Sequence, residues 1–103
     1  MSVPELPRRT VTVHCKRSGY DVYIGRPGPW GNPFTIGRDG TRQEVIRKYE
    51  EHLLASHALL ELVPELAGMT LGCWCSPRPC HGDVLARYAN DPALLAAALL
   101  DAP

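Results

Sequence analysis

Three thiols and an imidazole, Cys73, Cys75, Cys80 and His81, fall within nine residues, and Asp83 follows close behind. Three chemistries suit such a set. Zinc takes four thiolate or imidazole ligands in a tetrahedron, and Cys73, Cys75, Cys80 and His81 supply four. The spacing, Cys-x-Cys and then Cys-His, departs from the paired knuckles usual in structural zinc sites. In the second reading Cys80 and His81 stand where a helix begins. Free amides and the helix dipole there favour an anion and lower a thiol's pKa. Cys80, His81 and Asp83 are then the candidate reacting groups, Gly82 part of a phosphate cradle, and Arg78 a partner for a thiolate or a bound anion. In the third reading the cysteines are small buried hydrophobes around Trp74. Asp83 also has a plain role, capping the helix that follows.

A second stretch carries recognition chemistry: Gly25-Arg26-Pro27 through Trp30-Gly31-Asn32-Pro33-Phe34. It follows a strand, and ligands of open α/β folds sit past the carboxyl ends of strands. Arg26 is suited to a phosphate or carboxylate. Trp30 is a candidate to stack on a base or sugar, with the Gly31 backbone and Asn32 beside it. The structural alternative is an ordered loop in which Trp30 and Phe34 cap the core and Arg26 pairs with an acid.

Elements to position these stretches can be read along the chain. Residues 1–9 hold Pro4 and Pro7 and read as a loose lead-in. Thr10–Cys15 and Asp21–Gly25 read as strands, either a hairpin or side-by-side neighbours. Thr41 with Glu44 forms a capping box. Val45, Ile46, Tyr49, Leu53 and Leu54 then recur at helical spacing, which predicts a helix over Thr41–Ala55. A second helical piece covers His57–Val63, where Pro64 breaks it. Thr70–Cys75 reads as a short buried strand, and a helix begins close to Cys80. Asp91 caps a last helix with Pro92 in its first position. Ala93–Leu100 is apolar nearly all round, so that helix is deeply buried or pairs with a second copy of the chain. His14, His52 and His57 show no partner and read as surface or satisfied residues.

The 103 residues are enough for a single domain. Eleven basic and eleven acidic side chains cancel, but unevenly. Residues 1–48 carry nine basic and four acidic residues, and 49–103 carry two and seven. An anionic ligand bound by the first half fits that split, whereas general duplex nucleic-acid binding needs a basic domain. The longest apolar stretch, Ala93–Leu100, is too short to cross a bilayer. MSVPELPRRT has no apolar core and no cleavage site, so a cytoplasmic protein with reduced thiols is expected rather than a disulfide framework.

Three segments, YIGRPGPWGNPF, GTRQEVIRKYEEHL and LAGMTLGCWCSPRPCHGDVLARYAN, resemble a small uncharacterised bacterial and phage family, a domain of unknown function. The resemblance covers residues 21–90 as one unit and implies no reaction. A more distant likeness is to Rossmann-like nucleotide-binding domains, including nucleoside deoxyribosyltransferase-like and lysine-decarboxylase-like proteins. This chain is shorter than those, lacks their usual catalytic Glu motif and carries cysteines they lack.

The expectation is thus one compact α/β domain, Rossmann-like in outline, with three or four strands and helices packed on them. A cleft between 25–34 and 73–83 would bind a nucleotide or related phosphorylated ligand, with glycosyl-bond cleavage or transfer as the candidate reaction. A small zinc-stabilised binding or accessory module is the alternative. A homodimer through Ala93–Leu100 is a further expectation.

Overall fold

The computed structural model describes residues 9–101; the expected lead-in lies almost wholly outside them. The chain runs β1 (Val11–His14), β2 (Val22–Tyr23), α1 (Arg42–Leu54), α2 (His57–Leu62), a 3-10 turn (Val63–Leu66), β3 (Thr70–Cys73), α3 (His81–Asn90) and α4 (Pro92–Asp101). The fold is α/β, with three parallel strands in the order β1-β3-β2. Val11 stands opposite Thr70 and His14 opposite Cys73 on one edge of β3, and Val22 opposite Leu71 on the other.

The first two strands are therefore neither a hairpin nor neighbours. β3 takes the centre because Leu71, Gly72 and Cys73 are all buried, as in a strand covered on both faces. The link 15–21 turns where the amides of Arg17 and Ser18 donate to the His14 carbonyl. It then doubles back over β3. Tyr20 rests on Gly72, where a Cβ would stand 2.6 Å from its ring; only glycine leaves that space. Asp21 joins the far edge of β3, its amide donating to the Thr70 carbonyl and its carboxylate accepting the Thr70 amide.

On the other face lies the core. Ile24, Leu71 and Cys73 pack with Tyr49 and Leu53 of α1, Leu60 of α2, Val63 and Leu66 of the 3-10 turn, and Val84 and Leu85 of α3. α3 sits close on the sheet because of Gly82. A Cβ there would come within 2.7 Å of Ile24 Cδ1 and 2.8 Å of Thr12 Oγ1. Both halves of the Thr41–Glu44 capping box form at the start of α1. Thr10 and Asn90 clasp the two ends of the fold: the Thr10 amide donates to Asn90 Oδ1, and Asn90 Nδ2 donates to the Thr10 carbonyl.

α4 starts as its sequence directs, with Asp91 Oδ1 accepting the Leu94 amide. Deep burial does not follow. Leu95 is its one buried residue and Leu100 is 87% exposed. Among the described residues no helix is long and apolar enough to cross a membrane.

Candidate functional site

A cavity of about 270 Å³ opens at the carboxyl ends of β2 and β3. Gly25 and Arg26, just past β2, form one side. Cys73, Trp74 and Cys75, at and past the end of β3, form another. Cys80 and His81 enter from the start of α3, and Arg42, Val45 and Ile46 from the first turns of α1. The loop residues Asn32, Phe34, Thr35 and Ile36 complete the wall. The two segments singled out in the sequence thus meet around one hollow.

The loop is held by its own side chains. Asn32 Oδ1 accepts the Phe34 amide at 2.9 Å, and its Nδ2 donates to the Val45 carbonyl at 3.1 Å. Asp39 accepts the Thr35 amide, and Lys48 Nζ donates to the Asp39 carbonyl at 2.6 Å. Arg26 reaches Thr35 Oγ1 at 3.2 Å. A Cβ at Gly31 would stand 2.9 Å from Arg26 Cγ and 3.2 Å from its Cα, so Gly31 makes room for Arg26.

Cys73 and Cys80 are buried with their sulfurs 3.1 Å apart. Cys80 is the cap of α3, and its sulfur accepts the Gly82 amide. A thiol hydrogen bond from Cys80 holds the Cys73 thiol below its ordinary pKa, helped by amides at Ser76 and Cys75 and opposed by burial. The same interaction, with burial, pushes Cys80 up. As a pair they release one proton early and the second very late. Two of the four residues weighed for zinc therefore adjoin. Among the described residues no group of three or more His, Cys, Asp or Glu side chains is placed to hold one ion.

His81 is 8% exposed, its Nε2 donates to the Ile24 carbonyl at 2.7 Å, and its ring meets Tyr49 edge-on at 4.8 Å. Burial pushes its pKa below the usual 6.5, with the Ile24 carbonyl opposing. The unfolded chain therefore takes this proton first as pH falls. The stability that neutral His81 contributes is complete above about pH 6.5 and is lost as pH drops toward the folded pKa. Denaturation midpoints measured from pH 7 to 5 are expected to fall in the natural chain. The slope should flatten in His81→Phe; an equal slope in both proteins would remove His81 as the cause. Asp39 and Glu44, held below ordinary carboxylate values chiefly by the amides of Thr35 and Thr41, act at lower pH.

Three expected ligand contacts, Trp30, Gly82 and Arg78, and one candidate reacting group, Asp83, are not on the wall of this cavity. Trp30 is in the core, 8% exposed, with its carbonyl taking the Tyr49 hydroxyl, so its ring is not free to stack on a ligand. Trp74 is the tryptophan on the cavity wall. Asp83 caps α3, its carboxylate accepting the Cys80 amide at 3.0 Å, and lines a separate hollow with Gln43, Glu50 and Arg87. It is not positioned as a reacting group in the cavity. Gly82 is buried between α3 and the sheet, and its amide donates to the Cys80 sulfur. Arg78 lines an adjoining cavity of about 340 Å³ with His14, Arg17, Arg42, Trp74 and Cys75. Of the histidines without assigned partners, His57 pairs with Glu61, and His52 lies against the rings of Phe34 and Tyr49. Arg42 had no role in the sequence analysis, although it shares one helical stripe with Val45, Ile46 and Tyr49, and the structure places it on the cavity wall.

Residues 8–91 match the family described as a domain of unknown function, DUF4326. The chain belongs to the DUF4326 family. The match extends past the 21–90 unit expected from sequence and takes in β1, the strand that completes the sheet. Two viral proteins are similar to this DUF4326 chain. One is the uncharacterized 12.4 kDa protein in the nrdA-td intergenic region of Enterobacteria phage T4, 37% identical over 83 residues, covering 76% of this chain and 75% of that one. The other is an uncharacterized protein of Acanthamoeba polyphaga mimivirus, 37% identical over 83 residues, covering 63% of each chain. No solved structure matches the chain.

Proposed function

We propose that this DUF4326 protein binds a nucleotide or related phosphorylated small molecule in the cavity between segments 25–36 and 73–81. One observation carries the reading: two arginines, Arg26 and Arg42, and no carboxylate from the described residues line a hollow at the carboxyl ends of parallel strands. The guanidinium groups suit a phosphate. Phe34, Ile36, Val45, Ile46 and Trp74 offer apolar walls to a flat ring. At about 270 Å³ the cavity is near the small end of ligand pockets, about 300–1,000 Å³, and fits one nucleotide better than two joined. Glycosyl-bond chemistry usually rests on carboxylates, and Asp83 is turned away, so the proposal is for binding.

A panel of nucleoside mono- and diphosphates tests it. A ligand present at 100 times its Kd adds about 2.7 kcal/mol, or roughly 10 °C in melting temperature for a domain this size. Arg26→Ala and Arg42→Ala are each expected to weaken calorimetric binding about 10- to 100-fold, the range for a charge-assisted hydrogen bond. No shift with any nucleotide, or full affinity in both variants, would overturn the proposal.

A further inference from the structure

The face of the sheet turned away from the core carries a continuous row of rings. Tyr20 lies 6.2 Å from Tyr23, the Tyr23 hydroxyl accepts Trp74 Nε1–H at 2.7 Å, and His14 meets Trp74 edge-on at 5.9 Å. Tyr20 is 44% exposed, Tyr23 36% and Trp74 55%, so three large rings in mutual contact share one open surface. Lys16 Nζ stands 5.3 Å over the Trp74 ring.

The row runs into the second cavity, where Arg17, Arg42 and Arg78 converge and no acidic residue among those described lines the wall. None of Lys16, Arg17, Arg42 and Arg78 is in an ion pair with a described residue. Asp21, the acid next to Tyr20 in sequence, is tied to the Thr70 amide at the opposite end of the strands. Arg42 donates to the Pro79 carbonyl at 3.1 Å. Rings spaced along a surface, with cations free of ion pairs at one end, match stacked bases joined by a charged backbone. Bases stack on aromatic faces whatever their identity, and the phosphates need the positive groove.

We propose that this face binds single-stranded nucleic acid, with bases on Tyr20, Tyr23 and Trp74 and phosphates in the Arg17–Arg42–Arg78 cavity. The charge complementarity selects a polyanion, and the ladder of rings selects one with bases. A duplex hides its base faces and is disfavoured. This surface is separate from the cavity of the preceding proposal apart from Arg42, Trp74 and Cys75, which line both, and it stands whether or not a free nucleotide binds.

The test uses a fluorescently labelled twelve-residue thymidine oligomer and anisotropy. Neutralising about three phosphates predicts that log K falls with log salt at a slope near −2. Arg17→Ala with Arg78→Ala is expected to flatten the slope by about 1.4. Trp74→Leu is expected to weaken binding about 10-fold while keeping most of the salt slope, because it removes stacking rather than charge. Tyr20→Leu gives an independent perturbation at a half-exposed ring, and it is expected to weaken binding several-fold with the salt slope kept. Each variant is checked for an unchanged thermal transition, and mononucleotide binding with Arg26→Ala follows the other cavity separately. No binding by the folded natural chain at low salt, equal affinity for duplex or for polyglutamate, or full affinity in the Trp74 and double-arginine variants would each overturn the proposal.

Discussion

Tyr49→Ala is expected to cost about 3–5 kcal/mol, the range for truncating a buried aromatic. Tyr49 is fully buried, and its hydroxyl donates to the Trp30 carbonyl at 2.8 Å. Its ring also backs His81. One side chain thus joins α1, the Trp30 loop and the first residue of α3. Burial pushes its phenol pKa up, so the donor stays protonated. Tyr49→Phe separates the two contributions. It keeps the volume but leaves the Trp30 carbonyl without its donor, at about 1–3 kcal/mol. Urea denaturation measures both. A loss under about 1 kcal/mol for Tyr49→Ala would mean that the three elements are not tied through this residue.

The second large effect is a change in acidity. Cys73 is expected to react with a small alkylating reagent with a pH midpoint below the ordinary thiol value of about 8.5. The cause is the Cys80 thiol at 3.1 Å, which donates to the Cys73 anion. Cys80→Ala removes that donor, and the Cys73 midpoint is expected to rise by more than one unit. That is a more than tenfold change in thiolate fraction near neutral pH. Peptide mass mapping of alkylation rates distinguishes Cys73 from Cys15 and Cys75. A Cys73 midpoint that is the same in both proteins would show that the neighbouring sulfur does not set its acidity. A ligand in the cavity should slow the reaction at Cys73 and leave Cys15 untouched, because Cys15 is not on the wall.

What the sequence made legible was mostly local chemistry. Thr41 with Glu44, and Asp91 with Pro92, encode helix starts within a few residues of themselves, and both form as read. The start of α3 at Cys80 was legible for the same reason, and it carried Cys80 and His81 to the cavity. Strand order was not legible. It depends on Tyr20 finding Gly72 and on Asp21 finding Thr70, partners about fifty residues away in the chain. For Trp30 the structural alternative, a ring that caps the core, is the one that holds, and Trp74 is the ring on the cavity wall, because residue type does not reveal which ring is buried. Trp30 sits in a loop of glycines and prolines yet is in the core, while Trp74 follows the central strand yet faces out. Asp83 was weighed as cap or reactant, and the Cys80 amide at 3.0 Å makes it a cap. Arg42 was decipherable from its helical stripe, but a charged residue on that stripe reads as surface until a cavity is seen beneath it.

The central place of β3 also shapes how the chain comes together. Both edge strands precede it, so during synthesis β1 and β2 emerge with no hydrogen-bonding partner until Thr70–Cys73 has left the ribosome. Pairings this remote close large loops before any gain is returned, which slows folding and makes it cooperative. A nascent chain that stops short of the third strand holds two orphan edges and nothing to zip them.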